Sequence, residues 1–264
     1  MLIRSRRSAI ALTLLSLAVL PVTYARANSD IGVVVLHGKQ GNPGGRPTAA
    51  FLQALHSAGY AVQAPEMCWS GTRIYDAPFP DCLQAIDTAV AALRAAGARR
   101  IVVAGHSLGG NAAIAYGTSH PELAGIIALA PAAQPGQMAR NPRVAPNVAQ
   151  ARQMVAAGQG GQRASFTDTN NGQVFTVVTT AAIFLSFLDP GGPADFPAVL
   201  AQERVPIIWV AGSADRTQDQ AAALFGRLPA NPLNKFVQVG ATHLDTPNAG
   251  TGPVLEWLKA LPAR

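Results

Sequence analysis

Residues 100–110 read Arg-Ile-Val-Val-Ala-Gly-His-Ser-Leu-Gly-Gly. Residues 101–104 are apolar without interruption, which fits a strand covered on both faces rather than one with a side open to water. Gly105 and Gly109 stand two residues before and two residues after Ser107. A serine on a sharp strand-to-helix turn needs that spacing, because side chains at the two flanking positions would collide with the turn. A helical pattern follows over residues 108–118. The turn lifts the Ser107 hydroxyl clear of the strand and aims the Leu108 N–H, at the start of a helix, toward the same point. A chain organised around such a strand must supply a sheet to bury it and helices to cover it.

The rest of the sequence supplies both. Short apolar runs recur at residues 32–36, 60–64, 125–129, 205–211 and 236–239. Between them lie amphipathic helical patterns. Residues 47–57 place Phe51, Leu52 and Leu55 on one side. Residues 81–96, opened by Asp81 as a cap, do the same with Leu83, Ile86, Val90 and Leu93. A last helix from Pro253 turns Val254, Trp257, Leu258 and Leu261 inward. Strands alternating with helices predict an α/β fold of about six mainly parallel strands with helices on both faces. A length of 264 residues suits one such domain. Residues 135–203 break the rhythm, polar and glycine-rich over 158–172 and apolar over 175–188. This stretch is expected to be an insertion after the fourth strand, a lid or cap above the sheet, with helices near 148–157 and 180–187.

The charge balance invites a reading that does not survive inspection. The chain carries 20 Lys and Arg against 14 Asp and Glu, a formal +6, as a nucleic-acid binder would. Four of the arginines (Arg4, Arg6, Arg7 and Arg26) lie in residues 1–27. The first three precede an uncharged run at residues 9–20, and the fourth lies within Ala25-Arg26-Ala27. A basic start, a short apolar run and an A-x-A site read as a secretory signal peptide. The run is too short to span a bilayer comfortably, so no stable membrane anchor is expected after cleavage. The remaining domain, residues 28–264, keeps 16 basic and 14 acidic residues, scattered along the chain. No nucleic-acid partner is expected, and the location should be periplasmic or secreted. In an oxidising compartment the two cysteines, Cys68 and Cys82, are expected to form a disulfide. No Cys/His spacing for zinc is present.

A serine nucleophile needs a base, and the base needs an acid to orient it. Parallel sheets present such groups at the C-terminal ends of strands. The run at 205–211 ends in Gly212-Ser213-Ala214-Asp215, and the run at 236–239 ends in Gly240-Ala241-Thr242-His243. Ser107, Asp215 and His243 are therefore the candidate nucleophile, acid and base. Asp219, four residues on, and Asp245, beside His243, are rivals for the acid. His106 adjoins the serine, with its side chain expected to point away from the turn. His37 closes the first strand. His56 and His120, at helix ends, read as surface residues. The loop after the first strand, His37-Gly38-Lys39-Gln40-Gly41, should supply the second oxyanion donor through the Lys39 N–H, with Gln40 second. No Gly-Lys-Ser/Thr follows at the spacing a phosphate-binding loop requires.

Together the His37-Gly38 strand end, Gly105-His106-Ser107-Leu108-Gly109-Gly110, the late Asp215 and the final His243 resemble the α/β-hydrolase superfamily over nearly the whole exported chain. The resemblance implies a Ser-His-Asp triad and hydrolysis of esters or related acyl compounds, with no metal or cofactor. The His37-Gly38 strand begins almost at the expected mature N-terminus. The family's first two strands are therefore expected to be missing, leaving a six-strand sheet like that of minimal secreted lipases and cutinases.

The expected activity is thus that of an exported serine hydrolase of the carboxylesterase or lipase-like kind, acting on a small acyl substrate through an acyl-enzyme. A thioesterase, amidase or peptidase could run on the same triad. A non-catalytic binding protein on the same fold is the third reading. Trp69, Tyr75 and Phe79, after the second strand, and Phe175, Phe184 and Phe187, in the insertion, are expected to line an apolar acyl site.

Overall fold

The computed structural model describes residues 30–132 and 135–263; the expected signal peptide, residues 1–27, lies outside the described residues. The main sheet has six strands: β1 (Ile31–Leu36), β2 (Ala61–Gln63), β3 (Arg100–His106), β4 (Gly125–Leu129), β7 (Ile207–Gly212) and β8 (Lys235–Val239). Their order across the sheet is β2-β1-β3-β4-β7-β8, and every neighbouring pair is parallel. Each strand falls where an apolar run predicts it, and β1 is the first strand of the described chain. β1, β3, β4 and β7 are buried along almost their whole length, which is why their sequences show no polar alternation.

Both faces of the sheet are covered. Val33 and Val35 of β1, Val102 and Ala104 of β3, and Ile208 and Val210 of β7 pack against α1 (Ala49–Ser57) and the C-terminal helix Thr251–Ala260. Phe51, Leu52 and Leu55 come from the first helix, and Val254, Trp257 and Leu258 from the last. The alternate residues Val34, Leu36 and Val103 face the opposite way. They meet Ile86, Val90 and Leu93 of the helix Gln84–Ala95, and Ala112, Ala113 and Tyr116 of the helix Leu108–Gly117. The latter helix is small and apolar, with nearly every residue buried, so it has no solvent face to mark it as amphipathic. Its glycines permit close approach: a Cβ at Gly109 would stand 2.6 Å from the carbonyl oxygens of both Leu36 and His37. Asp81 does not cap the 84–95 helix; it sits in a separate short turn of helix, Phe79–Cys82.

The stretch between β4 and β7 has structure of its own. Helices Ala145–Ala156 and Ala181–Leu188 lie close to their expected places. Between them is an antiparallel hairpin, β5 (Arg163–Asn170) and β6 (Gln173–Thr180), that the sequence reading missed. Its turn is Asn171-Gly172, both with positive φ (47° and 78°). Asn-Gly between alternating residues is the strongest short-range hairpin signal. That signal was present and was masked by the polar, glycine-rich appearance of the segment. Val148, Ala151, Phe166, Val177, Phe184 and Phe187 join the core on one face of the main sheet.

Cys68 and Cys82 form a disulfide with a Cα–Cα distance of 5.6 Å. It closes the loop that joins β2 to the helices covering that face. Closure of a loop this size stabilises the fold by about 3 kcal/mol in the chain-entropy model.

Candidate active site

Ser107 has φ 56° and ψ −123°, a backbone conformation that costs a side-chain-bearing residue about 1–3 kcal/mol. The surroundings hold it there. The Ser107 N–H donates to the Leu129 carbonyl of β4 at 2.9 Å. A Cβ at Gly105 would run into the Gly109 carbonyl, so the first glycine of the motif is required by the return of the chain over the turn. The Leu108 N–H opens the helix Leu108–Gly117 beside the serine.

The two late strands bring Asp215 and His243 together. His243 Nδ1 lies 2.6 Å from Asp215 Oδ2. Asp215 is buried, and its other oxygen accepts from the Thr217 hydroxyl at 2.6 Å and the Thr217 N–H at 2.9 Å. Burial raises the Asp215 carboxyl, but the hydrogen bonds from His243 and Thr217 outweigh it and hold the group below the usual carboxylate range. With Nδ1–H directed at the carboxylate, His243 presents Nε2 as its free acceptor. Neither rival acid competes. Asp219 is exposed beyond the turn Arg216–Gln218, and Asp245 accepts from Thr242 in its own loop at 2.6 Å.

His106 lies closer to the site than expected. Its ring stands 4.8 Å from that of His243, centre to centre, and its Nε2 is 2.9 Å from the His243 carbonyl. A carbonyl only accepts, so Nε2 carries the hydrogen and Nδ1 is bare. Burial, and then the neighbouring His243, lower the His106 pKa to about 3, so it is a neutral donor that fixes the loop carrying His243. His106 and Thr217 are among the site residues that sequence reasoning missed. Thr217 has a local signal, since an Asp-x-Thr turn places a hydroxyl on the carboxylate. His106 has none.

The loop after β1 is fixed group by group. The Gly38 carbonyl accepts from the Gly41 N–H at 3.0 Å and from His37 Nδ1 at 2.8 Å. His37 Nε2 accepts from the Met67 N–H at 3.1 Å, so this buried histidine is neutral and structural. The Gln40 N–H donates to the Trp69 carbonyl at 2.8 Å, which removes Gln40 as an oxyanion donor. The Lys39 N–H belongs to the peptide whose carbonyl is held by Gly41 and His37, and Lys39 lines the same cavity as Ser107.

That cavity holds about 220 Å³ and is bounded by Gly38, Lys39, Arg46, Ser107, Asn170 and His243, among others. The aromatic residues expected to line it do not. Trp69, Tyr75 and Phe184 are all buried in the core, as are Phe79 and Phe187. Trp69 stacks on Phe79, Tyr75 on Phe187 and Phe184 on Phe166, with ring centres 6.0, 4.1 and 4.4 Å apart. Stacking among these rings removes their faces from any cavity, so they pack the insertion onto the sheet instead. Phe175 is half-buried over the Lys39 ammonium.

A family model described as the alpha/beta hydrolase family matches residues 33–251. The chain belongs to the alpha/beta hydrolase family. Among solved structures it is similar to a monoacylglycerol lipase from Paleococcus ferrophilus, with a TM-score of 0.64 at 20% identity over 87% of this chain and 94% of that one. It is also similar to Est1E from Butyrivibrio proteoclasticus with ferulic acid bound (TM-score 0.63, 18% identity, 89% and 91% covered). The thioesterase domain of the curacin biosynthetic pathway matches less well (TM-score 0.53, 18% identity, 88% and 93% covered). At these identities the likeness shows the fold. No curated protein matches the sequence. This alpha/beta hydrolase has lipases and esterases among its structural neighbours.

Proposed function

We propose that this alpha/beta hydrolase is an exported serine esterase for small substrates with short acyl groups. The observation that carries the reading is the meeting of the Asp215–His243 pair, 2.6 Å apart, and the strained Ser107 turn at one cavity. His243 Nε2 takes the Ser107 proton as the oxygen attacks the acyl carbon. Asp215 keeps the imidazole in the required tautomer and stabilises its charged form. The Lys39 and Leu108 N–H groups receive the oxyanion. Collapse expels the alcohol, which takes the proton back from His243, and water then cleaves the acyl-enzyme through the same groups. None of these steps calls for a metal or cofactor.

The short-acyl preference follows from the lining. A cavity of about 220 Å³, with glycines, polar side chains, Pro47 and Leu244 at its wall, offers no trough for a long chain. The aromatic side chains that could have formed one are committed to the core. Export rests on residues 1–27, and the Cys68–Cys82 pair is compatible with it.

The test is a panel of p-nitrophenyl esters from acetate to palmitate, beside thioester and amide analogues of the acetate, with the protein lacking residues 1–27. The expected result is a kcat/KM maximum at acyl chains of about two to four carbons, the size a small cavity accommodates. A maximum at long chains, or on the thioester or amide, would replace this reading.

A further inference from the structure

The Lys39 side chain turns away from the catalytic residues into the protein. Its ammonium lies 2.6 Å from Asp168 Oδ2 and 3.1 Å from the Thr169 carbonyl, and both side chains of the pair are almost wholly buried. The Tyr75 hydroxyl donates to the same Asp168 oxygen at 2.7 Å, and the Thr169 N–H donates to the other at 2.6 Å. Burial first, and then the facing Asp168, raise the Tyr75 pKa well above its ordinary value, so Tyr75 remains a donor. One residue further along the same strand, Asn170 Nδ2 donates to the Lys39 carbonyl at 3.0 Å and to Gln40 Oε1 at 3.2 Å. Asp168, Thr169 and Asn170 all belong to the end of β5, about 130 residues from Lys39.

These contacts converge on one peptide unit. The Lys39 carbonyl is held by Asn170, and the N–H of the same peptide, on Gln40, is held by Trp69. The next peptide back has its carbonyl held by Gly41 and His37. With both planes pinned, the direction of the Lys39 N–H is set, and that is the group assigned to the oxyanion. A buried ion pair is weak evidence of stability, because desolvation offsets much of the attraction. Its distinctive contribution here is directional: a charge-assisted anchor at the side chain and a hydrogen bond at the carbonyl of one residue.

We propose that Asp168 and Asn170 are positioning residues for ester hydrolysis, the tip of the β5–β6 hairpin acting as a clamp that aims the Lys39 N–H at the oxyanion. The proposal rests on the assignment of Ser107 catalysis and of the Lys39 N–H above. An oxyanion donor acts in the transition state and not in substrate binding, so disturbing its aim lowers kcat and leaves KM in place.

The experiment compares the parent with Asn170→Asp, Asn170→Ala and Asp168→Asn on p-nitrophenyl acetate, with thermal unfolding followed by circular dichroism on each. Asn170→Asp conserves shape but puts an acceptor where the Lys39 carbonyl needs a donor. The expected result for it and for Asn170→Ala is a roughly 10- to 100-fold fall in kcat with KM changed by less than about threefold, in protein that unfolds cooperatively well above the assay temperature. Asp168→Asn should show the same split. It leaves a buried ammonium without its counter-charge, so if that variant does not fold the Asn170 pair decides. Parent kcat in both Asn170 variants would overturn the clamp, and so would a loss confined to KM, which would make Asn170 a substrate contact. Ser107→Ala, run alongside, separates the two levels: if it retains parent activity the catalytic assignment itself is wrong, whereas a Ser107-dependent enzyme indifferent to Asn170 refutes the clamp alone.

Discussion

Ser107, Asp215 and His243 occupy positions where strands end, and that is why they could be found from sequence. A strand that stops in a Gly-rich turn shows its boundary in composition, and these three side chains stand one to four residues beyond such boundaries. Their supports are different. Thr217 acts through a turn of two residues, whereas Asp168 and Asn170 reach Lys39 across 129 to 131 positions. No local pattern encodes a pairing at that range. His106 belongs to the second kind, because its role depends on the His243 carbonyl, 137 residues away. It also makes a prediction at this scale. The folded protein keeps His106 neutral down to about pH 3, while the unfolded chain protonates it near the ordinary value of 6.5. The unfolded state therefore binds the extra proton. Stability should fall as pH drops from 6.5 toward 3, by at most roughly one kcal/mol per pH unit from this one group. Urea unfolding of the parent and of His106→Asn between pH 7 and 4 checks it. The parent should lose stability on acidification more steeply than the variant, and parallel curves would show that His106 is not held neutral.

At the scale of elements, the six strands of the main sheet and the helices between them were legible because they are buried on two faces or one, and burial leaves a mark in every residue. The β5–β6 hairpin was not read, although Asn171-Gly172 announced it, because its outward positions mix polar residues with Val174 and Val178 and its inward ones are few: Phe166, Asp168, Val177 and Thr179 are its buried residues. A buried aspartate among them defeats any apolar count. The same element explains why the aromatic acyl site was misplaced. Phe184 and Phe187 lie on the helix that follows the hairpin and face the sheet, and a loop sequence cannot show which way its rings turn. Phe184→Ala should therefore cost about 3–5 kcal/mol of stability, as truncation of a core aromatic does, while KM for p-nitrophenyl acetate stays near that of the parent. Denaturant unfolding beside initial-rate kinetics tests this. A rise in KM with little change in stability would return Phe184 to the substrate site.

For the whole molecule, the order β2-β1-β3-β4-β7-β8 puts β3 beside both β1 and β4. That order seats the Ser107 turn between the loop that leaves β1 and the strands that deliver Asp215 and His243. Four segments distant in sequence thereby meet at the C-terminal edge of one parallel sheet, where ligands of open α/β sheets bind. The segment between β4 and β7 adds the fifth contribution by holding the loop after β1 through Asp168 and Asn170, and its aromatic residues fill core instead of forming a trough. A small cavity results, and the proposed preference for short acyl groups is a property of this arrangement as a whole. The claim on which all of it turns is that Ser107 is the nucleophile. The most direct measurement is kcat/KM for p-nitrophenyl acetate in the parent and in Ser107→Ala, both folded by circular dichroism. The account predicts a fall of about 10⁴-fold or more in the variant. Retention of the parent rate by Ser107→Ala would contradict it.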